Sequence, residues 1–205
     1  MKRSLLCLTL LFVASLNQGV AANAIPNNPG AAAGDAPSNP TVAVADAPAT
    51  DPAALRRQIN ARLFDAARLG EREVLATFIE ARYDLNTRTP EGFTPLILAA
   101  YNGQHAAVVQ LLAAGADACA KDRRGNTAIM GAIFKGELGI ARRLLGTPCN
   151  PDERNDAGQT PAMYAALFGR LDILKELAAR GADLHAADAV GNTPEALARG
   201  EIRTR

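Results

Sequence analysis

Glycines recur at a fixed interval in this chain, and that interval limits the possible fold more than any other feature. Gly70, Gly103, Gly136 and Gly169 form one series and Gly92, Gly125, Gly158 and Gly191 a second, each stepping by 33 residues. Thr94, Thr127, Thr160 and Thr193 keep the same step, as do Asp84, Asp117, Asn150 and Asp183. Four series in one register without an insertion mean that one supersecondary unit is repeated along the chain. The units run from about 53–86, 87–119, 120–152, 153–185 and 186–205, which makes four full units and a fraction.

The unit can be read residue by residue. In Gly92-Phe93-Thr94-Pro95-Leu96-Ile97-Leu98-Ala99-Ala100-Tyr101-Asn102-Gly103 the first Gly allows a tight turn, Thr94 caps a helix and Pro95 takes its first position, where a missing amide hydrogen costs nothing. Ala99 and Ala100 let a neighbouring helix approach, and Gly103 turns the chain back. Val108, Leu111 and Leu112 then share one face of a second helix that ends at Gly115. Neither helix can bury its apolar stripe alone, so the units must stack. A composition that is 48% hydrophobic but only 4% aromatic, with no Trp, suits such close helix packing.

The segments TPLILAAYNGQHAAVVQLLAAGAD, TAIMGAIFKGELGIARRLLGTPCN and TPAMYAALFGRLDILKELAARGAD resemble ankyrin repeats, and the likeness covers about residues 61 to 200. The resemblance implies an all-α solenoid of stacked helix pairs, with hairpin fingers on one side and a groove between fingers and inner helices. Departures from the family pattern carry expectations of their own. The slots that usually hold His after Thr-Pro-Leu hold Ile97, Met130 and Met163, so packing should replace a polar network. Arg82 and Pro148 stand where Gly115 and Gly181 end their helices, so the first and third units are expected to turn differently. Glu195 stands where Leu96 stands in its own unit, and the last unit lacks a second helix, which reads as a polar cap.

Ahead of the repeats, residues 1–24 read MKRSLLCLTLLFVASLNQGVAANA: Lys2 and Arg3, an apolar stretch, then small residues. This is the layout of a secretory signal peptide, with cleavage after Ala22 or Ala24. About a dozen apolar residues are too few to span a bilayer, which needs roughly 20, so no membrane span is expected once the leader is removed. Residues 25–50 are rich in Ala, Pro, Asn and Gly with almost no charge, and read as a flexible linker. Asp51-Pro52 supplies a helix start for a repeat domain at 51–205. The style of the leader and the Ala-rich composition point to a bacterial periplasmic or secreted protein.

Little in the chain points to chemistry. Lys and Arg total 22 against 21 Asp and Glu, a balance that argues against a nucleic-acid binder working by phosphate neutralisation. His105 and His185 are not at equivalent positions and neither has a ligand partner nearby, so no metal, cofactor or catalytic residue is expected. Pairs such as Asp172 with Lys175 and Glu176 with Arg180 have the spacing of a solvated outer face. After export, Cys119 and Cys149 are the only thiols. They would fall on adjacent layers, where a structural disulfide, two buried inert thiols or a redox-active pair are all open readings.

What remains is surface. By the family resemblance, Leu98, Tyr101, Asn102, Phe134, Lys135, Tyr164, Leu167 and Phe168 face the groove, while Phe93, Arg123 and Arg124 belong to the fingers. Aromatics ringed by charge are what a protein-binding hot spot contains. The competing reading is that Tyr101, Phe134 and Phe168 only cover seams between helices. The expected function is a non-enzymatic scaffold that shields, activates or inhibits another exported protein. An immunity protein against an envelope toxin would be a narrower form, and a thiol-based redox protein using Cys119 and Cys149 is the rival class.

Overall fold

The computed structural model describes residues 51–204; the leader and the linker read from the sequence lie outside them. Helices alternate in pairs. α1 (Pro52–Leu69), α3 (Pro95–Tyr101), α5 (Ala128–Lys135), α7 (Pro161–Leu167) and α9 (Pro194–Ala198) form an inner row, each packed on the next. α2 (Arg72–Glu80), α4 (His105–Ala113), α6 (Leu138–Leu145) and α8 (Leu171–Ala179) form an outer row behind it. After α9 no second helix follows among the described residues, as expected of a cap.

The helix starts follow from the Thr-Pro pairs. Thr94 Oγ1 accepts from Ile97 N at 3.3 Å, Thr160 Oγ1 from Met163 N at 3.3 Å and Thr193 Oγ1 from Ala196 N at 3.2 Å, with Pro at the next position each time. α1 starts the same way on Asp51, whose carboxylate accepts from Ala53 N at 2.9 Å. α5 is the exception: Ala128 replaces Pro, and the Thr127 hydroxyl is buried without a partner.

Between the rows lies one continuous core. Ala66, Ala67, Ala99, Ala100, Ala132, Ala165 and Ala166 let the inner helices approach closely, while Leu75, Val108, Leu111, Ile140, Ile173 and Leu177 fill the outer side. Ile97, Met130 and Met163 are buried as expected. Glu176 pairs across layers with Arg142 at 2.7 Å rather than along its helix with Arg180.

The helix ends correct one expectation. Gly115 and Gly181 close α4 and α8 with φ of 87° and 89°, where Ala116 N donates to Leu111 O and Ala182 N to Leu177 O. Arg82 does the same work at the end of α2: it takes φ 51°, and Tyr83 N donates to Phe78 O at 2.9 Å. The first unit therefore turns as the others do, because the packing that fixes Tyr83 and Leu85 imposes the left-handed residue whatever its type. Only the third unit turns differently, with Gly146 at φ −73° and Thr147 N donating to Leu144 O.

Between layers the chain makes tight hairpin turns, and these form a second ladder. Arg123 N donates to Glu91 O, Asp156 N to Arg124 O and Ala189 N to Ala157 O, at 3.0, 3.0 and 3.1 Å. A Cβ on Gly92 would lie 2.7 Å from Arg123 N, so the backbone approach itself demands glycine there. Cations one repeat apart extend the ladder. Arg88 donates to Lys121 O, Lys121 Nζ to Arg154 O at 3.0 Å and Arg154 to Ala187 O at 2.7 Å.

Arg82 is exposed and held where L-residues are strained. Arg82→Gly should relieve that strain by more than the added chain entropy costs, a net gain of roughly 0.5 to 1 kcal/mol. In thermal unfolding followed by circular dichroism this corresponds to a rise in Tm of about 1 to 4 °C. A lower midpoint would show that the arginine side chain contributes contacts worth more than the strain.

Candidate interaction groove

The residues assigned to the groove fall at repeat positions on the inner helices, so the stack lines them up. Tyr101 and Phe134 occupy the same place in α3 and α5; their rings stack at 6.0 Å with planes 15° apart. Phe168, just beyond α7, meets Phe134 edge-on at 5.1 Å, and Tyr164 lies 6.0 Å from Phe168. Lys135 Nζ sits 5.1 Å over the Tyr101 ring. Tyr101 and Phe134 remain 42% and 44% exposed, and Leu167, the next residue in their series, is exposed as well. They touch across the seams yet keep their outer halves in water, so covering seams accounts for only part of their surface.

Leu98 requires correction. It is 6% exposed and belongs to the core rather than to the groove surface. Its register position recurs as Gly131, Tyr164 and Leu197; Leu197 is buried like Leu98, while Gly131 and Tyr164 are both partly open. The Tyr164 hydroxyl donates to Asn126 Oδ1 at 3.0 Å and accepts from Asn155 Nδ2 at 3.3 Å. Its burial pushes the phenol pKa up, so it stays a neutral hydrogen-bonding group. Asn102 is exposed and donates to Leu98 O at 2.8 Å, while Arg123 and Arg124 are exposed on the second turn. Phe93 is half-buried. Together with Phe93, Tyr101, Phe134 and Tyr164, Gly131 lines an opening of about 300 Å³ between turn and helices.

The turns that form the groove's far wall are closed by a side-chain series that sequence reading overlooked, although it keeps the step of the repeat. Phe93 N donates to Thr89, Asn126 N to Asp122, Gln159 N to Asn155 and Asn192 N to Asp188. The side-chain oxygen at this position, hydroxyl, carboxylate or amide, ties its own turn. At the last turn, Arg203 N donates to Asn192 Oδ1 at 2.7 Å, so the tail closes the stack.

Cys119 and Cys149 are joined, with sulfurs 2.02 Å apart and Cα atoms 5.5 Å apart. Their place explains the pair. Asn86, Cys119 and Asp152 share one repeat position. In the seam before, Asn86 Oδ1 accepts from Asp117 N at 2.9 Å; in the seam after, Asp152 Oδ1 accepts from Asp183 N at 2.9 Å. At the middle seam a covalent bond stands where its neighbours use a hydrogen bond. That seam is also where the third unit lacks its left-handed helix end, so the disulfide ties down the one irregular turn.

His105 and His185 are both exposed, and His185 Nδ1 lies 3.2 Å from Glu195 Oε2. Among the described residues no three His, Cys, Asp or Glu side chains gather as metal ligands, and no helix is long and apolar enough to cross a membrane.

A family model described as ankyrin repeats (3 copies) matches residues 63–155 and 108–188. Comparison with curated proteins returns no match.

Two outcomes follow from the seam and the turns. Closing a loop of 30 residues stabilises by about 3.5 kcal/mol in the chain-entropy model, so Cys119→Ser with Cys149→Ser should lose that amount under oxidising conditions and nothing once reductant is added. Equal stability of variant and wild type without reductant would show that the bond holds nothing. The second concerns Asp188. Its partial burial pushes the carboxyl pKa up, but hydrogen bonds from Asn192, Val190 and Gly191 outweigh this and leave it below the usual range. A depressed carboxyl stabilises the fold above its unfolded pKa, and that contribution is lost as pH falls through the folded value. Asp188→Asn, which copies Asn155, should therefore flatten the loss of stability below about pH 4. An unaltered acid limb in urea titrations would refute it.

Proposed function

The chain belongs to the ankyrin-repeat family, whose members are in general protein-interaction scaffolds without enzymatic activity, and from that premise we propose that it binds another exported protein through the groove. The observation that carries this reading is the aromatic row. Tyr101, Phe134 and Phe168 contact one another across three layers while Tyr101 and Phe134 stay nearly half exposed. A stack held together by its alanine and leucine seams does not need large apolar rings in water, and such rings beside cations are the usual anchors of an interface.

Export is supported by the leader-like start of the sequence and by the Cys119–Cys149 pair, since disulfides persist in oxidising compartments. We place the protein in the periplasm or outside the cell, where it would shield, activate or inhibit its partner. No nucleic acid, cofactor or metal enters this reading.

Crosslinking in the native envelope followed by mass spectrometry identifies the partner. Tyr101→Ala combined with Phe168→Ala should then weaken its capture about 30-fold or more, with little change in Tm. Undiminished capture by the double variant, alongside a lowered Tm, would return both rings to a packing role and refute the groove.

A further inference from the structure

The groove is not uniform along its length. Its inner wall in the second to fourth units is set by the register Leu98, Gly131, Tyr164, and the middle member of these three has no side chain. Nothing in the fold requires glycine there. Gly131 lies inside α5 with ordinary helical geometry rather than a positive φ, and an added Cβ would meet only Tyr101, at 3.5 Å and more, which is normal contact. Glycine weakens a helix relative to alanine, so this position costs the repeat stability and gives it space instead. The space is the opening of about 300 Å³, with Phe93, Tyr101, Phe134 and Tyr164 as walls and Met130 beside its floor. Clefts that enclose whole small molecules begin at about 300 Å³, so an opening at that limit, unroofed on the groove side, suits one large side chain.

Charge around the opening selects the company of that side chain. Arg124 lines it, Lys135 lies over Tyr101 at its edge, and Arg123 is beside Arg124 on the turn; none of the three forms an ion pair among the described residues. The nearest acid is not free to answer them. Asp122 accepts from Arg124 N and Asn126 N at 2.8 Å and from Asn126 Nδ2 at 3.2 Å, so its carboxylate is engaged within the turn. Glu91 and Asp156 are exposed on the neighbouring turns and neither lines the opening, where the charged side chains are Arg124 and the engaged Asp122, with Lys135 at the edge. A partner segment laid across this opening therefore meets aromatic walls with the exposed cations Arg124 and Lys135 at its edge.

We propose that the opening at Gly131 is a socket for one aromatic side chain of an extended, acidic peptide segment of the partner. The proposal rests on the groove reading and adds the site and the chemistry of the anchor. Occupancy would bury the anchor against four rings, while flanking carboxylates meet Arg123, Arg124 and Lys135.

The probe is a random dodecamer library displayed on phage and panned against the full chain. Enriched peptides should carry an aromatic residue flanked by Asp or Glu. Gly131→Leu fills the socket and should weaken these peptides by about 30-fold or more, while its Tm equals or exceeds that of wild type. Gly131→Ala keeps the test open if leucine disturbs α5: it should raise Tm and weaken binding a few-fold. Arg124→Glu with Lys135→Glu should weaken binding by roughly tenfold and flatten its salt dependence. Enriched peptides without acidic bias, or binding that ignores both Gly131 variants, would overturn the socket. If such peptides still fail on Tyr101→Ala with Phe168→Ala, the groove stands and only the socket falls. Peptides indifferent to all of these variants would overturn both.

Discussion

Each layer of this molecule is too thin to fold alone, and its stability is lent by the layer next to it. The apolar stripe of α3 or α4 is one helix wide, and only a neighbouring pair in the same register can cover it. This is why the interval between glycines is kept so strictly. One inserted residue would move Gly92 out of line with Arg123, whose amide nitrogen would sit 2.7 Å from any Cβ placed there. It would also break the contact of Arg123 N with Glu91 O. Helix seams supply hydrophobic burial and the turns supply directional bonds, and both count residues in the same step.

Within such a frame a departure can be tolerated in one of two ways. Some are compensated on the spot. Arg82 takes the strained conformation that glycine takes elsewhere, Ile97, Met130 and Met163 fill a polar slot with apolar volume, and the disulfide replaces a seam hydrogen bond beside the irregular turn after α6. Others are compensated by nothing inside the chain. The exposed halves of Tyr101 and Phe134 and the missing side chain at Gly131 leave the stack no more stable than plainer residues would.

The frame was readable because it repeats. Thr-Pro caps, small residues on the inner helices and glycine turns each occur several times, so any one of them is checked by its copies, and among the described residues the stack of helix pairs followed, with the turn at Arg82 as the exception. That miss has a physical cause: glycine is preferred in the left-handed region, but the hydrogen bond from Tyr83 N to Phe78 O and the burial of Leu85 outweigh the strain on a single arginine. Leu98 was misplaced for a related reason. Its position opens to the groove only in the third and fourth units, where Gly131 leaves a hollow and Tyr164 is too long to stay inside, while the branched Leu98 is short enough to be covered. The turn-closing series of Thr89, Asp122, Asn155 and Asp188 was written in the spacing but disguised by its residue types, which share an acceptor oxygen rather than a name. The pairing of Cys119 with Cys149 stayed open because the two positions are offset by three residues from repeat equivalence and a spacing in sequence does not give a Cα separation, which is 5.5 Å in the fold.

A repeat stack separates the two jobs that a globular protein mixes. Residues that carry the fold are tied to the period, because each must meet its equivalent one layer away, and a change there propagates into two seams. Residues on the open face of the inner helices meet a neighbour only at their edges, so they can vary one layer at a time without cost to the register. The middle layers use that freedom in opposite directions at adjacent places, with rings that stand out at Tyr101 and Phe134 and a hollow at Gly131 between them. Projection and hollow side by side, with the nearest carboxylate already spent inside its turn, make a surface whose shape and charge are set by composition alone. The stack needs no reactive group for this, only rigid layers that hold the rings at fixed distances, and that rigidity is what the strict interval provides.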